Sequence, residues 1–326
     1  MPKAALITGG AGFIGSHLAE LLLSMGQEVH IADNFSTGRI ENIDHLISNP
    51  NFSFHAGDIS NSEWIDPIVS KCSEIYHLAA AVGVKLIIEK PIETIITNVI
   101  GTKVILEMAY RYGIKILIAS TSEIYGKNKN GSLREDDDRI MGSVTKQRWA
   151  YANTKTLDEF LSLAYHREYG LPIVIVRMFN TVGPRQTGRY GMVIPNFVRA
   201  AIDGKPIRVF GDGQQTRCFA YVGDVVRCLA DLMGHPGAVG NIFNIGNDKE
   251  ISIIGLAEKV KEITGSSSPI VLVPYKEAYG EGFEDMERRV PDLAKVNALV
   301  GYEPNIQLDE ILRNVVEYFK ANELDI

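Results

Sequence analysis

Tyr151 and Lys155 stand four apart in a stretch with helical spacing, so both side chains share one face. A tyrosine is a poor base at its usual pKa of about 10. A neighbouring ammonium favours the phenolate. Such a phenol can take a proton from an alcohol while hydride leaves the same carbon. Tyr-x-x-x-Lys is common by chance, so its surroundings matter. Thr121-Ser122-Glu123 follows the apolar run Ile114–Ser120, at the carboxyl end of an expected parallel strand, where ligands bind in such sheets. Ser122 is suited to hydrogen-bond the reacting oxygen. Glu123 adds a carboxylate that alcohol oxidation alone does not need. It reads either as a second acid/base, one carbon from the oxidised centre, or as a solvent-facing loop acid.

A hydride needs an acceptor, and the N-terminus offers a place for one. Residues 8–15 read Thr-Gly-Gly-Ala-Gly-Phe-Ile-Gly after the apolar run 4–7. Gly9 allows a tight turn, Gly12 lets the backbone approach a pyrophosphate, and Gly15 lets a helix pack close to the strand. The pyrophosphate would rest on N–H groups at the helix N-terminus. Asp33 ends the expected second strand. There it can accept hydrogen bonds from ribose hydroxyls and repel a 2′-phosphate, which favours NAD over NADP. Arg39 is the nearby residue that would accommodate such a phosphate. A positive nicotinamide would join Lys155 in acidifying Tyr151. Asp58-Ile59 is placed to flank the adenine, unless Asp58 only caps the helix that begins near Asn61. Arg185, Arg217 and Arg289 suit the phosphate oxygens of an anionic, two-phosphate substrate, although arginines are as often structural.

Apolar runs at 4–8, 28–32, 52–55, 74–79, 115–120 and 172–177 read as buried parallel strands. Helical patterns near 13–25, 92–112 and 150–168 alternate with them. The expectation is an α/β fold of Rossmann type: a doubly wound parallel sheet over residues 1–180, carrying the Tyr/Lys helix. Residues 181–191 read as a loop. Helices near 192–203, 222–233, 253–264 and 308–321, with strands near 207–210, 242–245 and 270–273, suggest a smaller mixed α/β lobe over 181–326. Some of that chain is expected to return to the first domain. Arg134–Arg139 reads as a solvated charge run.

The 326 residues are 45% hydrophobic and carry a net charge of −7, enough for a sizeable core. No basic block is present, which speaks against nucleic acid as a partner. No apolar run nears bilayer-spanning length, and the N-terminus enters a strand at once, leaving no room for a signal peptide. Cys72, Cys218 and Cys228 suit neither a disulfide framework nor zinc. The seven histidines form no H-x-x-x-H pair, so no metal is expected. Cytoplasmic residence is the default expectation.

From about residue 3 to 321 the chain resembles the extended short-chain dehydrogenase/reductase family, in its nucleotide-sugar epimerase, dehydratase and decarboxylase group. The resemblance rests on the Gly9–Gly15 turn, His77-Leu78-Ala79-Ala80, Ser120–Gly126, Tyr151-x-x-x-Lys155, Arg177-x-Phe179-Asn180-x-x-Gly183-Pro184-Arg185 and Tyr221-Val222-x-Asp224. It implies NAD used transiently, with oxidation at carbon 4 of a UDP-sugar. It assigns Ser122, Tyr151 and Lys155 to that oxidation. The implied cofactor contacts are Gly9, Gly12, Phe13, Ile14, Gly15, Asp33, Asn34, Asp58, Ile59, Leu78, Ala79, Ala80 and Asn98, with Tyr151 and Lys155. The implied substrate contacts are Val82, Thr121, Asn180, Arg185, Val193, Arg217 and Arg289.

Within the group, Thr121–Gly126 is similar to the matching stretch of UDP-glucuronate decarboxylases. Lys146–Tyr151 and Tyr279–Arg289 resemble the bacterial decarboxylase that makes a UDP-4-keto-pentose. That resemblance gives Ser122, Glu123 and Arg289 to decarboxylation. The alternative is a UDP-sugar 4-epimerase, which Ala81-Val82-Gly83-Val84-Lys85 looks more like. A dehydratase is a further alternative, since GDP-mannose dehydratases also carry Thr-Ser-Glu. The resemblance also implies a homodimer built on the helices near 92–112 and 150–168.

Overall fold

The computed structural model describes residues 4–81, 90–128, 131–189, 191–279, 286 and 288–322. Val82, most of the 81–85 stretch, and residues 280–285 and 287 of the 279–289 stretch lie outside the described residues. In chain order the elements are β1 (Ala4–Thr8), α1 (Phe13–Ser24), β2 (Glu28–Asp33), β3 (Phe52–Ala56), α2 (Ser62–Val69), β4 (Glu74–His77), α3 (Pro91–Tyr112), β5 (Lys115–Thr121), α4 (Ala150–Tyr169), β6 (Ile173–Met178) and β7 (Thr181–Val182). There follow α5 (Val193–Ile202), β8 (Ile207–Phe210), β9 (Thr216–Cys218), β10 (Ala220–Tyr221), α6 (Val222–Gly234), β11 (Asn241–Ile245), β12 (Glu250–Ser252), α7 (Ile253–Thr264), β13 (Ile270–Val273), α8 (Tyr275–Tyr279), α9 (Ala294–Val300) and α10 (Leu308–Asn322).

Seven strands form the main sheet in the order β11-β6-β5-β4-β1-β2-β3, and every pairing is parallel. The strands are apolar on both faces because both faces are covered. Ala5, Ile7, Val29, Ile31, Val174 and Val176 pack under α1 and α6. Leu6, Ile75, Ile116, Ile118, Ile173 and Ile175 pack under α2 and α3. Period-two alternation sends successive residues of one strand into opposite cores. This is a Rossmann-type α/β fold, and its direction of winding reverses between β1 and β4. The crevice at the carboxyl ends of those strands is where such sheets bind ligands.

A smaller cluster joins α5, α7 and α10 over β8, through Val198, Val209, Leu256, Val260, Leu312 and Phe319. The expected strand near 242–245 is β11, which pairs with β6 at the edge of the main sheet. α6 packs on α1, so residues 222–245 lie against the first half of the chain. The segment read as a loop from 181 opens with β7, which pairs with β10. The short α9 had no sequence signal, because among its residues only Val296 is buried.

Candidate active site

The turn after β1 is built for close backbone approach. Gly9 has φ +72°, and a Cβ there would sit 2.9 Å from the Ala79 backbone. A Cβ on Gly15 would meet the Gly9 carbonyl at 2.3 Å. Gly12 precedes α1 with no side-chain cap, so the first N–H groups of the helix are left for a ligand. Gly9, Gly12, Phe13, Ile14 and Gly15 all line a cleft of about 790 Å³. Asp33 is 7% exposed at the end of β2. It accepts from the Phe35 amide at 2.8 Å and the Ala11 amide at 3.0 Å. Burial pushes its carboxyl pKa up, against those two hydrogen bonds. Asn34, Asp58, Ile59, Leu78, Ala79 and Ala80 complete this half of the wall. The cap of α2 belongs to Asn61, whose side chain accepts from the Trp64 amide. Asp58 takes the Ser60 amide instead, which leaves the adenine-flanking reading of Asp58 in place.

Asn98 is not on the wall. It is 2% exposed, accepts from the Ala81 amide at 2.8 Å and reaches Thr154 at 3.4 Å. It ties the segment after β4 to α4 from behind. His77, at the end of β4, bridges Thr8 at 2.8 Å and Thr102 at 3.0 Å. Burial first, and then the Lys155 charge, depress its pKa to about 3.

α4 and the turn after β5 bring the reactive groups together. Tyr151 is 7% exposed and lines the cleft with Thr121, Ser122 and Glu123. Its hydroxyl hydrogen-bonds Thr121. Burial drives its pKa well above the usual phenol value, and the Glu123 and Asp158 carboxylates push the same way. Lys155 has a partner that the sequence did not reveal. Its ammonium donates to Asp158 Oδ2 at 2.7 Å, with both side chains almost fully buried.

Glu123 is no solvent-facing loop acid. Its side chain is 14% exposed and accepts both guanidinium arms of Arg148, at 2.5 and 3.2 Å. Arg289 Nη1 stands 3.6 Å from its Oε1. Sequence reading gave Arg148 no role. The signal was a cation three residues before Tyr151, next to the fully buried Trp149.

Asn180, Val193, Arg185, Arg217 and Arg289 also line the cleft. Asn180 donates to the Cys218 carbonyl at 2.9 Å, and Arg217 donates to the Thr216 carbonyl at 2.7 Å. Arg185 departs from the other two arginines. It has φ +69° and donates to Ser16 at 3.2 Å and Glu20 at 2.5 Å. That seats it on α1, beside the glycine turn. Asp224 is structural: it accepts the Asn305 and Ile306 amides.

Behind the site, Arg177 grips Glu159 through two bonds of 3.0 and 2.8 Å. Ser120 donates to the same carboxylate at 2.5 Å. Arg177 also donates to Tyr125, which donates to Asn244. This buried network fixes β5, β6, β11 and α4 relative to one another.

Residues 6–315 match the family model described as GDP-mannose 4,6 dehydratase. The chain is 43% identical to the UDP-N-acetyl-alpha-D-glucosaminuronate decarboxylase of Bacillus cytotoxicus over the full length of both. It is 40% identical to UDP-glucuronic acid decarboxylase 1 of Arabidopsis thaliana, over 97% of this chain and 69% of that one. Among solved structures, UDP-glucose 4-epimerase of Thermotoga maritima superposes with TM-score 0.88 at 33% identity, covering 98% of this chain and 100% of that one. UDP-glucuronic acid 4-epimerase of Bacillus cereus gives TM-score 0.88 at 31% identity, covering 98% and 99%. Sequence motifs, sheet topology and these full-length matches agree: the chain belongs to the GDP-mannose 4,6-dehydratase family, within the extended short-chain dehydrogenases/reductases.

Proposed function

We propose that the protein is an NAD-dependent UDP-hexuronate decarboxylase, acting on UDP-glucuronate or its 2-acetamido counterpart. One observation carries this reading: the Glu123 carboxylate, clasped by Arg148 and approached by Arg289, beside Tyr151 in the cleft. Two guanidinium groups at a sugar-oxidising centre suit a substrate that brings its own carboxylate. The decarboxylase relatives from Bacillus cytotoxicus and Arabidopsis thaliana support the same reading.

The Gly9–Gly15 turn and Asp33 fit a dinucleotide with a free ribose diol. When bound, NAD supplies the hydride acceptor. Tyr151 takes the proton of the 4-hydroxyl, and Ser122 donates a hydrogen bond to the oxygen that becomes the ketone. Oxidation at carbon 4 places a ketone β to the carboxylate. The bond from carbon 5 to the carboxyl carbon then breaks, carbon dioxide leaves, and its electron pair forms an enolate at the carbon 4 oxygen. Tyr151 and Ser122 stabilise that oxygen. Arg289 holds the substrate carboxylate, and Glu123, fixed by Arg148, flanks carbon 5, which must next take a proton. Arg217 and Asn180 meet the diphosphate side. Arg185, seated on α1, serves the cofactor wall.

A 4-epimerase would use Tyr151, Lys155 and Ser122; one acting on a UDP-hexuronate, like the Bacillus cereus neighbour, would also meet the substrate carboxylate but would not need an acid beside carbon 5. The test is incubation with each UDP-hexuronate. Release of carbon dioxide with formation of a UDP-pentose or UDP-4-keto-pentose supports the reading. Interconversion of 4-epimers without carbon dioxide contradicts it.

The proposed assembly is a homodimer. α3 and α4 pack side by side and expose Ile92, Ile96, Ile100, Leu157 and Phe160, an apolar stripe that a second copy would cover. The proposed setting is cytoplasmic. Three buried free cysteines suit a reducing compartment, and among the described residues no helix is long and apolar enough to cross a membrane.

A further inference from the structure

Tyr151, Lys155 and Asp158 fall at i, i+4 and i+7 on α4, which places all three on one helix face. That face is buried: Lys155 is 2% exposed and Asp158 is 1% exposed. The helix itself has no need of an acid there. A buried carboxylate costs free energy, and an ion pair in such a place rarely beats an apolar pair for stability. Lys155 has three N–H donors, and Asp158 takes one of them at 2.7 Å.

Resting on the functional reading above, we infer that Asp158 is a positioning residue of the reaction: it fixes the buried Lys155 ammonium at 2.7 Å and adds a negative charge to the helix face that carries Tyr151.

The groups facing this site come from every element packed on it. Lys155 and Asp158 stand on α4 itself. Arg148 lies in the turn before α4, Glu123 in the turn after β5, and Arg289, from the segment before α9, stands 3.6 Å from Glu123. His77, on β4, is held neutral by burial. Of these, Asp158 and Glu123 favour the protonated phenol, and Arg148 opposes them. Through Asp158 the Lys155 ammonium is held in one place behind the cleft wall that Tyr151 lines.

The test uses Asp158→Asn in the full-length protein. Asparagine keeps an acceptor for Lys155 and removes the negative charge. Two readouts are taken: the phenol titration of Tyr151, from ultraviolet difference absorbance with Tyr151→Phe subtracted, and the pH profile of kcat/KM with a UDP-hexuronate. Both midpoints are expected to fall by about one pH unit, which is roughly tenfold in rate low on the acid limb. Asp158→Glu should restore the midpoint while kcat stays reduced, because the charge returns at a shifted position. A midpoint that stays or rises in an Asp158→Asn protein of normal thermal stability overturns the inference. If Asp158→Asn does not fold, Asp158→Glu decides alone: reduced kcat at an unchanged midpoint supports it, and wild-type values of both overturn it. Wild-type protein that releases no carbon dioxide defeats the functional reading instead, and the phenol titration still decides the role of Asp158.

Discussion

His77 gives the structure a pH-dependent weakness that can be calculated. It bridges Thr8 and Thr102 in the core, and its pKa falls from the ordinary 6.5 to about 3, chiefly through burial. Between those values the unfolded chain binds a proton that the native protein refuses. Stability therefore rises with pH across that window. The native advantage is whole above pH 6.5 and erodes as pH falls toward 3. Each pH unit inside the window is worth about 1.4 kcal/mol. From pH 6 to pH 4, allowing for partial protonation of the unfolded chain at pH 6, the loss from this residue is about 2.5 kcal/mol. Carboxylates titrate in the same range, so the informative quantity is a difference. Urea unfolding of the wild type and of His77→Gln should be followed from pH 4 to pH 7. The variant pays a constant cost for an imperfect bridge, but its stability should fall less steeply by that same amount. Parallel curves for the two proteins would refute the reasoning, because they would mean that His77 charges in the native state as easily as in water.

Three further perturbations have defined outcomes. Tyr151→Phe removes only a hydroxyl, so turnover should drop by about 10²–10⁴-fold with NAD still retained on gel filtration; an unchanged rate removes Tyr151 from the chemistry. Glu123→Gln should cut carbon dioxide release severely yet leave NAD retention alone, since Glu123 touches Arg148 and Arg289 rather than the glycine turn; full activity would demote the Glu123 cluster. Arg177→Met strands the buried Glu159 carboxylate and should cost about 3–5 kcal/mol in denaturant unfolding, most of it recovered in Arg177→Met/Glu159→Leu; loss of stability that simply adds between the two changes would show the pair to be uncoupled.

Much of the fold was legible because its strands are buried on both faces. Ile173, Val174, Ile175 and Val176 form an unbroken apolar run, which marks a central parallel strand. The glycine turn was legible because Gly9 and Gly15 stand where a Cβ would strike backbone. Short elements left little trace. β7, β10 and α9 are fixed by what they touch rather than by their own composition. β11 has the pattern of any short strand, and nothing in residues 241–245 says that they pair with β6 across the chain. The site was half legible. Tyr151, Ser122 and Glu123 were visible as types at a strand end and on a helix face. Their ionic partners were not, because Glu123 meets Arg148 and Arg289 across 25 and 166 positions of sequence. Lys155 illustrates the same gap. Its spacing from Tyr151 predicted a helper for the phenol, while Asp158, one turn further on, takes hold of the ammonium.

The account turns on oxidation of carbon 4 as the step that makes a carboxylate leave. A UDP-hexuronate carrying deuterium at carbon 4, incubated with the protein and NAD, examines that step directly. Release of carbon dioxide is expected, slowed by the heavier isotope or accompanied by passage of the label to the nicotinamide. Carbon dioxide released in a single turnover with no deuterated nicotinamide formed at any time, or no carbon dioxide at all from either UDP-hexuronate, would contradict it.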